Sequence, residues 1–324
     1  MIVLNLLYAF LFLASCFLLV KAGVWSVKSL IRISQFLRWT EFFVSFILMA
    51  FATSVPELFV GIVSATRGAP EVSFGNVIGA NIVNLTFVIG IAAILAKGIK
   101  LETEVAKRDS LYTAFIAVLP IIALFDGVIS RADGFILMIV TIFYFYQVFS
   151  QKELFRKIFK DTFQRRTARL WKRFFLDVFV FIISVGLLFV SAEGIVRSAI
   201  YFSKIINIPL LLFGIIFVSL GTTLPEITFG IKSTMIGEKE MVIGNVMGSV
   251  VVNSSLILGT VAIISPIKIF NFSLYLGGII FTFVASLFFY FFAKHEAHIS
   301  QKEGKFLILV YFLFILFEII LQFC

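Results

Sequence analysis

Displaced by 169 residues, this chain lies over itself. FATSVPELFVGIVSATRGAPEVSFGNVIGANIVNLTFVIG (51–90) aligns with LGTTLPEITFGIKSTMIGEKEMVIGNVMGSVVVNSSLILG (220–259) without a gap, and fifteen of the forty positions are identical. Shared apolar composition explains some identities but cannot align rare residues. Those that align are Thr53 with Thr222, Pro56 with Pro225, Glu57 with Glu226, Asn76 with Asn245 and Asn84 with Asn253. The same offset pairs Lys28 with Arg197 and Ser29 with Ser198. Any fold for this chain must hold two copies of one unit.

The unit belongs in a membrane. Hydrophobic residues make up 61% of the chain and charged residues 14%. Apolar runs of roughly 18 to 25 residues, the length that crosses the hydrocarbon core, recur from end to end. They lie near 2–20, 42–65, 72–96, 110–126, 134–150, 174–196, 206–231, 241–264, 272–293 and 305–322, with the first and sixth running on past the interface. The expected fold is all-α: ten transmembrane helices arranged as two five-helix repeats, 1–150 and 174–324, joined by the basic loop 151–173. Five crossings per half bring the second repeat into the membrane from the opposite side, so the repeats are inverted. Inverted repeats with helices interrupted at matching positions indicate a transporter with its site near the midplane. A pseudo-symmetric channel would need polar residues there too, whereas a scaffold would not.

The net charge of +9 is topological rather than a nucleic-acid footprint. With both termini outside, the inner loops and helix ends hold 22 of the 27 Lys and Arg, the outer ones 5. That is the positive-inside asymmetry. The first run lacks a basic leader and a small-residue cleavage site, and reads as a retained helix. Cys16 and Cys324 suggest neither a disulfide framework nor a metal motif. In the loop 151–173, Leu154, Phe155, Ile158, Phe159 and Phe163 recur at helical spacing. It serves as a cytoplasmic topology anchor or, alternatively, as a lipid-responsive surface helix.

Within the repeats, Thr53, Glu57, Gly61 and Ser64 share one helix face, and Thr222, Glu226, Gly230 and Ser233 repeat it. Asn76, Ala80 and Asn84 form a second stripe, matched by Asn245, Ser249 and Asn253. Brought together, the four stripes would surround one hydrated cavity with two carboxylates, amide oxygens and hydroxyls. An all-oxygen donor set suits hard cations such as Ca²⁺ and Na⁺. Pro56 cannot donate to the carbonyl of Ala52, nor Pro225 to that of Gly221, so backbone oxygen is exposed beside each carboxylate. Competing readings are structural: a proline kink, asparagines as interhelical glue, and Gly75/Gly79 and Gly244/Gly248 as close-packing pairs. The intramembrane glutamates are functional-site candidates by default. Asn84, Asn253 and Asn271 match the glycosylation pattern, but the first two lie within the membrane and all three are discounted.

ATSVPE followed by GNVIGANIVN, and GTTLPE followed by GNVMGSVVVN, resemble the α-repeats of the cation/calcium exchanger superfamily, in its sodium/calcium exchanger branch of prokaryotic type. In each repeat the Glu precedes the final Asn by 27 residues, as in that family. The H⁺/Ca²⁺ exchangers usually carry GNxxE instead, which favours sodium coupling. The resemblance implies an antiporter, not an enzyme, with no cofactor beyond the transported ions and no protein or nucleic-acid partner. Glu57 and Glu226 would be central Ca²⁺ ligands, with Thr53 and Thr222 beside them. Na⁺ would compete for the same carboxylates, helped by Ser54, Thr223, Ser249 and the carbonyls of Ala50 and Ser219. Asn84 and Asn253 complete the expected ion site. The first and sixth helices would slide against the other eight, giving alternating access and Ca²⁺ export. Two departures stand out: Ala80 occupies a position where the family has serine, and Asn253 one often held by Asp. H⁺ in place of Na⁺ remains the alternative coupling ion, because two close glutamates can take up protons.

Overall fold

The computed structural model describes residues 2–37, 54–100, 104–149, 168–237, 239–269, 271, 275–294 and 298–323. Thr53, the Ala50 and Ala52 carbonyls and most of the basic loop lie outside these. Among the described residues, structure is almost wholly helical. Six helices are long and apolar enough to cross a membrane, and a bent pair makes a seventh. The chain is an integral membrane protein.

In order, α1 is Ile2–Leu37 and α2 is Val55–Thr66. The span Pro70–Leu95 forms α3; α4 is Glu104–Ala123 and α5 is Arg131–Phe149. The second half opens with α6, Ala168–Ile206. Next come α7, Leu210–Thr222, and α8, Leu224–Met235, set at 42° to each other. The helix α9 starts at Lys239 and continues to Ile264; α10 is Leu276–Lys294 and α11 is Gln301–Phe323. At 36 and 39 residues, α1 and α6 do run past the interface, since a span needs only about 20.

The sequence offset reappears as geometry. Adding 169 to the bounds of α2 gives those of α8, and both helices carry proline in the first turn, where its missing N–H costs nothing. Both α3 and α9 widen to π-helix over six residues, Val83–Val88 and Val252–Ile257, again 169 apart. Two antiparallel clips close the ends of these helices. In one, Ile99 of β1 (Ile99–Lys100) pairs with Ile299 of β4 (His298–Ile299). In the other, Ile129 of β2 (Val128–Ile129) pairs with Ile267 of β3 (Ile267–Lys268).

Glycines fix the closest approaches. A Cβ on Gly75 or Gly79 of α3 would overlap the Leu211 or Ile215 carbonyl of α7. These small residues therefore do serve close packing. The contacts advance together along both helices, so α3 and α7 run parallel. Because α2 turns back into α3 over three residues, and α8 into α9 just as tightly, α2 runs parallel to α9 and opposite to α8. The Gly90–Gly304 contact of α3 with α11 is mirrored by the Gly134–Gly259 contact of α5 with α9.

The apolar interior divides in two. One cluster gathers α3, α4, α5, α9, α10 and α11, including Phe74, Ile78, Leu85, Leu258, Phe289 and Phe314. The other joins α1 and α6 to α2 and the edge of α7, through Leu19, Val60, Leu188, Ile195 and Val218. The most apolar windows of α1 and α6 are 17% and 22% buried, against 83% and 78% for α3 and α9. The α1/α6 pair therefore flanks a densely packed body. It is bound to itself by stacked Tyr8 and Tyr201, 3.8 Å between ring centroids, and by Arg32–Asp177 at 2.6 Å. Glu193 of α6 also meets Arg67 after α2, and Arg197.

Candidate functional site

Proline dictates where the site begins. Ser54 and Thr223 precede α2 and α8 directly, and Glu57 and Glu226 fall in the first turns. Both carboxylates are fully buried, as are Thr222, Thr223, Asn76, Asn84, Ser249 and Asn253, while Ser54 and Ser219 are almost so. No basic side chain shares an ion pair with Glu57 among the described residues.

Thr222 joins the halves. It lies one turn before Glu226 and donates to Asn76 Oδ1 at 2.9 Å. Asn76 thus acts as glue between α3 and α7, while its Nδ2 has no protein partner among the described residues. The Ser219 carbonyl accepts from Thr223 N–H at 3.0 Å, from the Thr223 hydroxyl, and from Thr222 Oγ1 at 3.3 Å. A cation at that oxygen would compete with three donors.

The level of the asparagines follows from packing. Gly61 of α2 abuts Ile257 and Val261 of α9, and the two helices run parallel. One turn earlier on each lie Glu57 and Asn253, at matching depth. By the same logic Gly230 of α8 abuts Val88 of α3, and one turn earlier lie Glu226 and Asn84. Each asparagine is the second residue of its π-segment, a local widening that occurs frequently at functional sites. Among the described residues, Ser54 Oγ, both Glu57 oxygens, both ends of Asn84 and Asn253 Oδ1 are buried with no protein hydrogen bond. Buried polar groups in that condition call for a ligand, water or ion.

The structure thus pairs Thr222 with Asn76, and sets Glu57 near the depth of Asn253 and Glu226 near that of Asn84. Thr53 and the Ala50 carbonyl lie outside the described residues. Ala80 is buried and offers no oxygen. Sequence reasoning missed Asn81 and Ser254, both fully buried and hydrogen-bonded at 2.7 Å. The repeat gave no signal for them, because Val250 and Leu85 stand at their equivalent positions.

Two repeat-related hairpins with polar centres, buried in a helical membrane body, define a repeat-built membrane protein with a polar core. The chain belongs to the sodium/calcium exchanger protein family, whose model matches residues 7–150 and 176–320. It is 28% identical to the sodium/calcium exchanger MaX1 of Methanosarcina acetivorans, over 93% of this chain and 96% of that one. It is 25% identical to the inner membrane protein YrbG of Escherichia coli, over 68% of each chain. The fold superposes on the sodium-calcium exchanger NCX_Mj, soaked with Na⁺ and Sr²⁺, with a TM-score of 0.63 and 24% identity, covering 97% of this chain and 99% of that one.

Proposed function

We propose that this protein is a secondary-active antiporter, not an enzyme, exchanging Na⁺ for Ca²⁺ by alternating access and exporting Ca²⁺. The carrying observation is a pair of fully buried carboxylates, Glu57 and Glu226, at repeat-equivalent positions in helices of opposite direction. Two negative charges balance one Ca²⁺, and an empty site of that charge resists closing into a dry, occluded state. This makes exchange obligatory. Glu57 and Glu226 would hold Ca²⁺ with Thr53 and Thr222. Ser54, Thr223, Ser249, Asn84, Asn253 and the carbonyls of Ala50 and Ser219 complete the Na⁺- and Ca²⁺-binding oxygens. Family membership and the likeness to MaX1 support the ion pair. No cofactor enters the cycle.

In the same reading, ten helices form two inverted five-helix repeats, 1–150 and 174–324. The termini lie outside, and the 151–173 loop is cytoplasmic. The helices α1 and α6 slide as a pair against the rest; their apolar windows are only 17% and 22% buried, against 83% and 78% for α3 and α9, which supports their being the mobile pair. Vesicle flux tests the proposal: Ca²⁺ uptake into Na⁺-loaded vesicles must exceed uptake into Na⁺-free ones. Equal uptake would sink sodium coupling. Uptake driven by a pH gradient instead would make the protein an H⁺/Ca²⁺ antiporter, and uptake without any counter-ion gradient a channel.

A further inference from the structure

Asparagine has a polarity problem at a cation site. Its amide presents a carbonyl oxygen that binds a cation or an NH₂ group that repels one, and only its surroundings decide which. For Asn253 those surroundings are on α3. Asn253 Nδ2 donates to Asn81 Oδ1 at 3.3 Å, and Asn81 Nδ2 donates in turn to Ser254 Oγ at 2.7 Å. All three residues are fully buried. Asn81 thus engages two consecutive residues of the π-segment in α9, one by its acceptor and one by its donor. With the Nδ2 end of Asn253 held against α3, its Oδ1 faces the other way, buried and without a protein partner among the described residues. Turning Asn253 alone would set its oxygen against that of Asn81, two acceptors face to face in a buried setting, which is costly.

We propose that Asn81 is a positioning residue that orients Asn253, so that Asn253 presents carbonyl oxygen to the transported Ca²⁺ at the depth of Glu57. This rests on the exchanger reading above. Asn81 touches no ion in this scheme and acts through its neighbour. Ser254 accepts from Asn81 on its other side, tying the amide to the next residue of the same π-segment.

The test is a comparison in reconstituted vesicles of the unaltered protein, Asn81→Leu, Asn253→Leu and the double variant. Half-saturating Ca²⁺ and maximal Na⁺-driven rate are measured for each. Loss of an outer-shell partner commonly weakens metal binding roughly ten- to a hundredfold. Asn81→Leu should therefore raise half-saturating Ca²⁺ about tenfold or more, and should add nothing in the Asn253→Leu background, because both remove the same oxygen from the site. Unchanged half-saturation, or additive effects in the double variant, would overturn the proposal, since a merely structural Asn81 would act independently of Asn253. If Asn81→Leu yields no folded protein, Ser254→Ala cuts the network at its other end. A rise in half-saturation then supports the proposal and an unchanged value overturns it. Failure of the exchanger reading is distinguishable: the unaltered protein would show no Na⁺-driven uptake. Equilibrium binding of radiolabelled Ca²⁺ to the same four proteins would then decide the role of Asn81 by the same criteria.

Discussion

Glu57 and Glu226 carry the site's formal charge, and both are fully buried. Glu57→Gln or Glu226→Gln keeps the volume and removes half that charge. Ligand charge count tunes Ca²⁺ affinity over orders of magnitude, so either change should weaken Ca²⁺ binding roughly a hundredfold and nearly abolish vesicle exchange. Retained activity in either variant would place the ion elsewhere. Ala80→Ser restores a hydroxyl at a buried position between Asn76 and Asn84. It should lower the Na⁺ concentration needed for half-maximal exchange while leaving Ca²⁺ dependence alone. An unchanged Na⁺ requirement would mean that the missing hydroxyl has no part in sodium binding. The two carboxylates were legible in the sequence as candidates because an intramembrane charge, repeated at a fixed offset, points to function by default. Asn81 and Ser254 were not, because what marks them is a contact between helices and not a pattern along one.

Between elements, the helices meet at positions where any side chain would intrude. A Cβ at Gly79 would overlap both the Ile215 carbonyl and Ser219. Gly79→Ala should therefore force α3 and α7 apart, at a cost of about 1–3 kcal/mol. Since Thr222–Asn76 spans the same gap, the variant should lose exchange as well as melting temperature in detergent. A variant that melts as the unaltered protein does would contradict the packing. The Gly75/Gly79 spacing was readable, and its commonest use proved correct. Other element-level features passed unread. The helices α5 and α11 both open on reciprocal caps: Ser130 N–H donates to Asp133 at 2.8 Å, and Ser300 N–H to Glu303 at 2.6 Å. These Ser-X-X-acid boxes are visible in the sequence, masked only by the apolar runs they introduce. The π-segments are different in kind. Nothing in VNLTFV or VNSSLI announces a widened turn.

For the molecule as a whole, α1 and α6 pack through a separate apolar cluster onto α2 and the edge of α7, by contacts such as Phe59–Phe189, and a polar tie adds to it at one end. Arg67 to Glu193 at 2.9 Å links α2 to α6, with Arg197 completing the cluster. Arg67 and Arg197 are exposed, so the cluster adds little to stability, about 1 kcal/mol at most. Glu193→Gln should leave the melting temperature almost unchanged yet alter the maximal exchange rate, because it removes the charged tie between α6 and the end of α2. An unaltered rate at every Na⁺ concentration would show that this tie does not break during the cycle. The two-copy architecture was evident from the 169-residue offset, since a gapless match of rare residues requires duplicated structure. The division of the interior was not, because apolar runs look alike wherever they pack.

That cluster has a further consequence. At the positions 169 residues away, Val24, Lys28 and Ile236 stand for Glu193, Arg197 and Arg67, so the opposite face cannot form the same tie. Two identical halves would make the inward- and outward-open forms equivalent by a two-fold rotation, with equal populations at zero gradient. If the protein alternates access as proposed, a fastening on one face alone gives it a resting side. It cannot change which way ions flow, since the gradients fix that. It does make the apparent Ca²⁺ affinity differ when measured from the two sides of the same vesicle, by as much as the fastening favours one form. Glu193→Gln should bring those two affinities closer together.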